Sequence, residues 1–465
     1  MSCSVHTLRG AVLLLAFLLA SGAGAQVLKV ELSGLEGQLY DNTRAWLGSL
    51  PDSAQARANY LYSARERVEQ SLQVLGYYQP QIDLQVDRSS ETWILQVQVD
   101  PGEPVLLRGV EIELEGEALV DPAFLALLTE PGMAPGDVLN HEIYEQFKRR
   151  LTSLGERRGY FEARFTENWI KVEPVGRTAD VRLVYDSGPR FAFGDLRFDQ
   201  SYLEEGLLEP LIAVEPGAPY DQAQLQRTQA ALQRTGYFST IILRPQPQQA
   251  EEGRVPLDME LFPARRHSFD VGIGYSTDTE ERVSLTWRTP RLNRYGHSQE
   301  TRLQYSAVNP SGRITYSIPL RHPLNDLLQL SARVEDNEFG DLDSNQQELA
   351  VRRELKQGDW VYGYGLRGLN ESWSSKGLRR ENDYLLPGVS FSQRLRSGSL
   401  VNPSSGFSHW YRAEAGHSSA GSDIDLVRVI ANFGHISSFG ERHRVVLRSN
   451  VGAAFLSDDN RDDLA

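Results

Sequence analysis

The sequence predicts tandem α+β modules of β-α-α-β-β order followed by an all-β transmembrane barrel. Two observations carry this reading. A Gly-Tyr-aromatic triplet recurs at Gly76-Tyr77-Tyr78, Gly159-Tyr160-Phe161 and Gly236-Tyr237-Phe238, with glycines 83 and 77 residues apart. Each triplet closes a charged, helix-like run, and a period of this size marks repeated structural units. From residue 266 onward the helical period gives way to a two-residue alternation of apolar and polar side chains. That alternation suits a sheet with lipid on one face and water on the other.

The N-terminus sets the compartment. Arg9 is the only charged side chain before the apolar run Ala11–Ala20, which the small residues Ser21–Ala25 follow. The run is too short to span a bilayer, and Ala23-Gly24-Ala25 fits an A-x-A cleavage site. Residues 1–25 therefore read as a secretory signal peptide rather than as a buried helix. Cys3, the only cysteine, falls inside this segment, so the processed chain has no thiol for a disulfide, a nucleophile or a metal. Net charge is −14, and loss of Arg9 makes it about −15. Without a basic face the chain is not expected to bind nucleic acid. No later stretch approaches the roughly eighteen apolar residues of a spanning helix, so any membrane crossing must be by strands.

Module 1, residues 26–104, opens on a strand-like segment at Leu28–Gly34. Asp52 with Gln55 reads as a capping box, and Leu61, Ala64, Val68, Leu72 and Leu75 form one helical stripe. Alternation at Gln81–Asp87 and Thr92–Asp100 predicts two strands. Module 2, residues 105–190, repeats the order: a strand at Arg108–Gly116, a stripe of Ile143, Phe147, Leu151 and Leu154, then strands at Ala163–Glu173 and Asp180–Gly188. Module 3, residues 191–265, has a strand at Phe193–Asp199 and a cap signal at Asp221 and Gln224. A stripe of Leu225 and Leu232 follows, then strands at Thr240–Gln246 and Val255–Phe262. Glu130–Gly132 and Glu215–Gly217 share the order Glu-Pro-Gly, expected as the turn between a short first helix and a long second one. A glycine just past a helix can take the left-handed conformation without a Cβ penalty, and the aromatics after it can fold back over the helix. The triplets therefore read as structural turns rather than as ligand contacts.

In the second half, Phe269, Val271, Ile273 and Tyr275 alternate with Asp270, Gly272 and Gly274. Leu303 and Tyr305, then Ile314, Tyr316 and Ile318, continue the apolar face. Tyr362, Tyr364 and Leu366 alternate with Gly363, Gly365 and Arg367. Val427, Val429, Ala431 and Phe433 oppose Arg428 and Asn432, with Ile430 the exception. About eleven strands fit between Ser268 and Leu456 on this pattern, matching a membrane barrel better than a soluble sandwich. The stretch Asp458–Asp463 lacks the order of a calcium loop and reads as solvated.

The β-α-α-β-β order with a Gly-Tyr-aromatic turn resembles the POTRA (polypeptide-transport-associated) module. Together with the leader and the barrel pattern, the chain resembles the outer-membrane assembly-factor superfamily that includes BamA. Three modules most resemble its TamA (translocation and assembly module) branch. Asn402–Phe407 is also similar to that superfamily's Pro-x-x-Gly-aromatic start of a late barrel strand. The resemblance implies the outer membrane of a Gram-negative bacterium, with the modules in the periplasm. It implies a barrel of roughly sixteen strands, of which residues 266–465 would hold about eleven. The superfamily's Arg-Gly-aromatic loop would follow His443–Leu456, so the sequence is expected to be a shortened form. The implied function is insertion or translocation of outer-membrane proteins such as autotransporters. A TamB-like inner-membrane-anchored partner would dock on module 1, and unfolded outer-membrane proteins and outer-membrane lipid would be the other partners. The first barrel strand, with Phe269, Val271, Gly272, Ile273, Gly274 and Tyr275, would be one side of a lateral gate. A two-partner-secretion-like transporter and a passive porin or receptor are the alternatives.

No enzyme chemistry and no cofactor is expected. His409, His417, His435 and His443 do not fall at metal-ligand spacing, and Gly272 and Gly274 lie inside an alternating strand rather than a phosphate loop. No Ser/His/Asp grouping can be defended from spacing.

Overall fold

The computed structural model describes residues 28–90, 92–198, 200, 202–204, 206–276, 280–375, 377–399, 401–440 and 442–457. The expected leader, Cys3 within it and the acidic stretch Asp458–Asp463 lie outside them. The chain forms two compact units, one ending at Phe191 and the other beginning at Ala192.

The first unit holds two modules built alike. In the first, β1 (Leu28–Ser33) leads into α1 (Gly37–Leu47), α2 (Ala54–Gln73), β2 (Gln81–Asp87) and β3 (Trp93–Asp100). Strand order is β1-β3-β2, with β1 parallel to the central β3 and β2 antiparallel to it. Ala64, Val68 and Leu72 of α2 face Leu95, Val97 and Val99 of β3 in one core. Each fully buried valine or leucine among them contributes about 1.5–3 kcal/mol of transfer free energy. The sequence placed the cap of α2 at Asp52, but the structure moves it to Ser53. Its Oγ accepts the Ala56 N–H at 3.2 Å, so the helix starts one residue later than the Asp52/Gln55 reading.

The second module repeats the plan with β4 (Leu106–Glu115), α3 (Pro122–Leu128), α4 (His141–Arg158), β5 (Arg164–Glu173) and β6 (Thr178–Asp186) in order β4-β6-β5. Its core joins Phe124, Phe147, Leu151, Leu183 and Tyr185. Asn140 caps α4, accepting the Glu142 N–H at 2.9 Å.

The second unit begins with a third sheet, β7 (Ala192–Arg197), β8 (Phe238–Pro245) and β9 (Arg254–Pro263), in order β7-β9-β8. One helix, α5 (Gln222–Arg234), crosses it, capped by Asp221, which accepts the Ala223 N–H at 2.9 Å. Among the described residues no short first helix forms here. A single 3₁₀ turn, Glu209–Leu211, takes its place. Gly206 at φ +85° and Pro210 leave too short a run between them to nucleate an α-helix.

Eleven antiparallel strands follow, each paired with its sequence neighbours. They are β10 (Ser268–Ser276), β11 (Glu280–Thr289), β12 (Ser298–Ser306), β13 (Ser311–His322), β14 (Asp326–Phe339) and β15 (Leu342–Gln357). The rest are β16 (Trp360–Ser375), β17 (Leu378–Gly398), β18 (Pro403–Gly416), β19 (Leu426–Phe439) and β20 (His443–Leu456). The register keeps Phe269, Trp287 and Thr301 on one face, and Arg288 and Glu300 on the other. The apolar face is uncovered: Ile273 is 86% exposed, and Tyr305 and Leu349 are each 70% exposed. A soluble sandwich would bury this face on a second sheet, and none lies over it among the described residues. An apolar surface of this extent suits lipid. The polar face instead contains buried Leu369, Tyr384, Leu386 and Glu414, so the sheet curls toward that side. No described helix is long and apolar enough to cross a membrane.

Candidate functional site

The three triplets lie in separate sheets and do not form one site. Each is a turn. Gly76, Gly159 and Gly236 adopt φ of +91°, +86° and +71°, the left-handed region where a Cβ is strained. What they receive differs.

At the first joint, Gly76 accepts the Val105 N–H at 2.8 Å and Val74 accepts the His141 N–H at 2.9 Å, so the next module's backbone bonds directly to the turn. A Cβ on Gly76 would lie 2.4 Å from the Leu139 carbonyl oxygen. Tyr77 packs into the first core and Tyr78 into the second, so the aromatic pair is shared between modules. The Tyr78 hydroxyl lies 2.6 Å from His141 Nε2. Desolvation lowers the His141 pKa, partly opposed by Glu145, so neutral imidazole can accept the tyrosine proton. Burial likewise raises the Tyr78 pKa.

At the second triplet the contacts of Tyr160 stay within its own module and are made by charge. Asp121, with its side chain 2% exposed, caps α3 through the Ala123 N–H at 3.0 Å. Its other oxygen accepts Arg158 Nε at 2.6 Å and the Tyr160 hydroxyl at 3.1 Å. Burial opposes ionisation of Asp121, yet these donors hold its pKa below the usual carboxylate range. Burial, then the Asp121 charge, pushes Tyr160 up to about 12. The Gly159 carbonyl accepts the Phe191 N–H at 2.9 Å, and the Phe161 and Phe191 rings meet edge-on at 5.7 Å.

The third joint docks its module on the sheet. Tyr237 is 4% exposed, and its hydroxyl donates to the Gly296 carbonyl at 2.8 Å in the β11–β12 turn. Burial pushes its pKa up to about 12. The Arg291 guanidinium stacks on the Tyr202 ring at 4.9 Å and donates to the Tyr202 carbonyl at 3.2 Å. Arg294 and Glu204 pair at 2.9 Å. Leu324 of the β13–β14 turn packs on the same module's core.

Among the described residues β10 pairs with β11, over nine residues, and β20 pairs with β19. Side-chain contacts gather at the start of β10: Phe269 stacks on Trp287 at 6.0 Å, and Arg288 pairs with Asp270. Further along, Phe269, Val271, Ile273 and Tyr275 face outward and are 61–86% exposed. Gly272 and Gly274 take the other face, where they add no side-chain packing. Among the described residues no group of three or more metal ligands converges.

Sequence reading missed the partners of the triplets: His141, Asp121, Gly296, Arg291 and Tyr202. Two left local signals, the Asp121-Pro122 helix start and the basic loop around Arg291 and Arg294. The others are long-range contacts and leave no local period.

Two family models match the chain. One is described as POTRA domain TamA domain 1, over residues 29–101, and the other as surface antigen variable number repeat, a POTRA model, over residues 191–263. The outer membrane protein assembly factor BamA of Neisseria meningitidis serogroup B is 24% identical over 186 residues. That alignment covers 37% of this chain and only 23% of the relative's length. The structure of BamA from Haemophilus ducreyi lacking POTRA domains 1–3 matches with a TM-score of 0.59 at 14% identity. The match covers 76% of this chain and 71% of that one, a likeness of fold. These matches support a fold of POTRA-type modules followed by a BamA-like barrel sheet.

Proposed function

We propose that the chain helps insert or translocate outer-membrane proteins, autotransporters among them, at the outer membrane of a Gram-negative bacterium. Residues 26–104, 105–190 and 191–265 act as three periplasmic modules, and residues 266–465 as the membrane part. The observation that carries this reading is the order of the chain, POTRA-type modules ahead of a strand sheet whose apolar face is uncovered. Within that sheet β10 carries Gly272 and Gly274, which weaken its pairing. An incoming strand can pair there through main-chain hydrogen bonds with little demand on its sequence. Outer strands of the module sheets, such as β2, offer the same chemistry in the periplasm. Module 1 is the docking site for a TamB-like inner-membrane-anchored partner, a reading supported by the family model over residues 29–101.

The test is reconstitution of the full chain in liposomes with an unfolded client barrel. A cysteine at Ile273 should cross-link to the client, and the protein should accelerate its folding. Steady conductance, with no cross-link and no acceleration, would assign a passive porin instead. Deleting residues 26–104 should abolish co-purification of the inner-membrane partner while the sheet remains membrane-embedded.

A further inference from the structure

The polar face of the sheet carries a second arrangement that strand assembly does not use. Across β12, β13 and β14, Arg302, Arg313 and Arg333 stand directly opposite one another. Like charges in such cross-strand positions repel. Farther along the same face, Glu414 is 3% exposed and is shared by three guanidiniums: Arg367 at 2.5 Å, Arg412 at 2.7 Å, and Arg428. Glu348 accepts Arg333 at 3.2 Å and Arg367 at 3.1 Å.

Glycines make these reaches possible. Gly388 on β17 stands between Gly365 on β16 and Glu414 on β18, and a Cβ there would sit 3.3 Å from the Glu414 Cβ. On β16, a Cβ at Gly363 would fall 2.5 Å from both the Arg352 Nη2 and the Ser390 Oγ, which are themselves hydrogen-bonded at 2.9 Å. The glycines that alternate with Tyr362 and Tyr364 therefore act as windows for guanidinium groups.

The side chains surround a cavity of about 300 Å³. Five arginines line it against two glutamates, a surplus of three positive charges. Including Arg428, Glu335 and Glu354, which pair into the same network, the count is six arginines against four glutamates. The buried Nε atoms of Arg333 and Arg367 have no hydrogen-bond partner, and Glu414 Oε2 has only its ion pair with Arg412, so the cluster is incompletely satisfied on both sides while its charge surplus is positive. A buried unsatisfied donor is costly, and converging guanidinium forks match the geometry of oxyanions. Rings of arginine serve this purpose in anion-conducting pores.

We propose that this cavity binds an oxyanion, entering either free or as an acidic side chain of a polypeptide inside the barrel. The site stands independently of the assembly role, since it uses neither strand edge nor module.

Isothermal titration of the full chain in detergent at low salt tests it, with inorganic phosphate and a tetra-aspartate peptide as separate probes. Phosphate should bind saturably, and Arg412→Ala should weaken it about tenfold through loss of one charge-assisted contact. Arg412→Lys should recover part of that loss. Glu348→Gln, which removes a competing negative charge, should tighten binding. Retained heat-modifiable gel migration would show that each variant still folds. Tighter binding of the peptide than of phosphate would identify a polypeptide source, and the reverse order a free anion. Absence of saturable binding by both probes, or affinities unmoved by Arg412→Ala and Glu348→Gln, would overturn the proposal.

Discussion

The first and third Gly-Tyr-aromatic turns share a motif and divide its labour differently. At Gly76-Tyr77-Tyr78 the first aromatic stays in its own module and the second crosses to the next, where it meets His141. At Gly236-Tyr237-Phe238 the first aromatic reaches out, to Gly296, while Phe238 stays in its own core. The motif specifies a left-handed turn with two large rings beside it. Which ring becomes the bridge depends on what the next unit brings.

The largest expected effect exploits this reversal. Tyr237→Ala removes a buried ring and a hydrogen bond and should cost about 3–5 kcal/mol. Hydrogen exchange of the full chain should then rise both in residues 238–263 and in the turn 290–297. Tyr77→Ala, the same position of the motif, should raise exchange within module 1 and leave the second module protected. If both substitutions loosen only their own module, the asymmetry between the joints is wrong.

Next come the glycines. Gly236→Ala meets only Pro290 Cβ, at 3.4 Å, so the expected cost is the left-handed strain of about 1–2 kcal/mol. Gly76→Ala adds a collision with the Leu139 carbonyl, a backbone atom that cannot swing aside. Its cost should exceed that of Gly236→Ala by about 1–3 kcal/mol, the usual range for overpacking. Equal losses, measured by thermal unfolding of the full chain, would show that the first joint yields freely.

Much of this architecture was legible in the residues. Two-residue alternation located the eleven strands because one face of each meets lipid, and that demand is repeated at every second position. Helix stripes such as Ala64, Val68 and Leu72 were legible for the same reason. Three features were not. The cap of α2 moved by one residue because Ser53 competes with Asp52 for the same role, and both are good caps. The first helix of the third module failed because Pro210 and Gly206 act on a run too short to resist them. The hydrogen bonds of Tyr78, Tyr160 and Tyr237 depend on residues 63, 39 and 59 positions away in the chain. The sequence likewise put Arg367 and Arg428 on the polar face, but their meeting at Glu414 depends on the register of four strands.

The cap offers a smaller test of local reading. Ser53→Ala should cost about 1 kcal/mol, the usual value of a lost N-cap, whereas Asp52→Ala should stay within about 0.5 kcal/mol as an exposed loop change. The reverse order would restore the capping box at Asp52.

The smallest effect concerns the first joint alone, because the third has no histidine partner for its tyrosine. His141 has a folded-state pKa below its ordinary value of 6.5, chiefly from desolvation. Below that value the unfolded chain binds a proton that the folded joint resists, so stability rises with pH through the window from the depressed pKa up to about 6.5. Acidification from pH 7.5 into this window should therefore loosen the bond between Tyr78 and His141, and protection of the backbone near Val105 and His141 should fall. Glu145 limits the effect by favouring the charged imidazole. Tyr78→Phe removes the hydroxyl and should cost about 0.5–1.5 kcal/mol at neutral pH. His141→Gln should flatten the pH dependence while keeping a partner for Tyr78. The same substitution should leave hydrogen exchange at the third joint unchanged at every pH, because there the group beside the bridge is His297, whose own pKa desolvation lowers. If the two joints respond alike, the titrating group lies elsewhere and the Tyr78–His141 bond is not what distinguishes them.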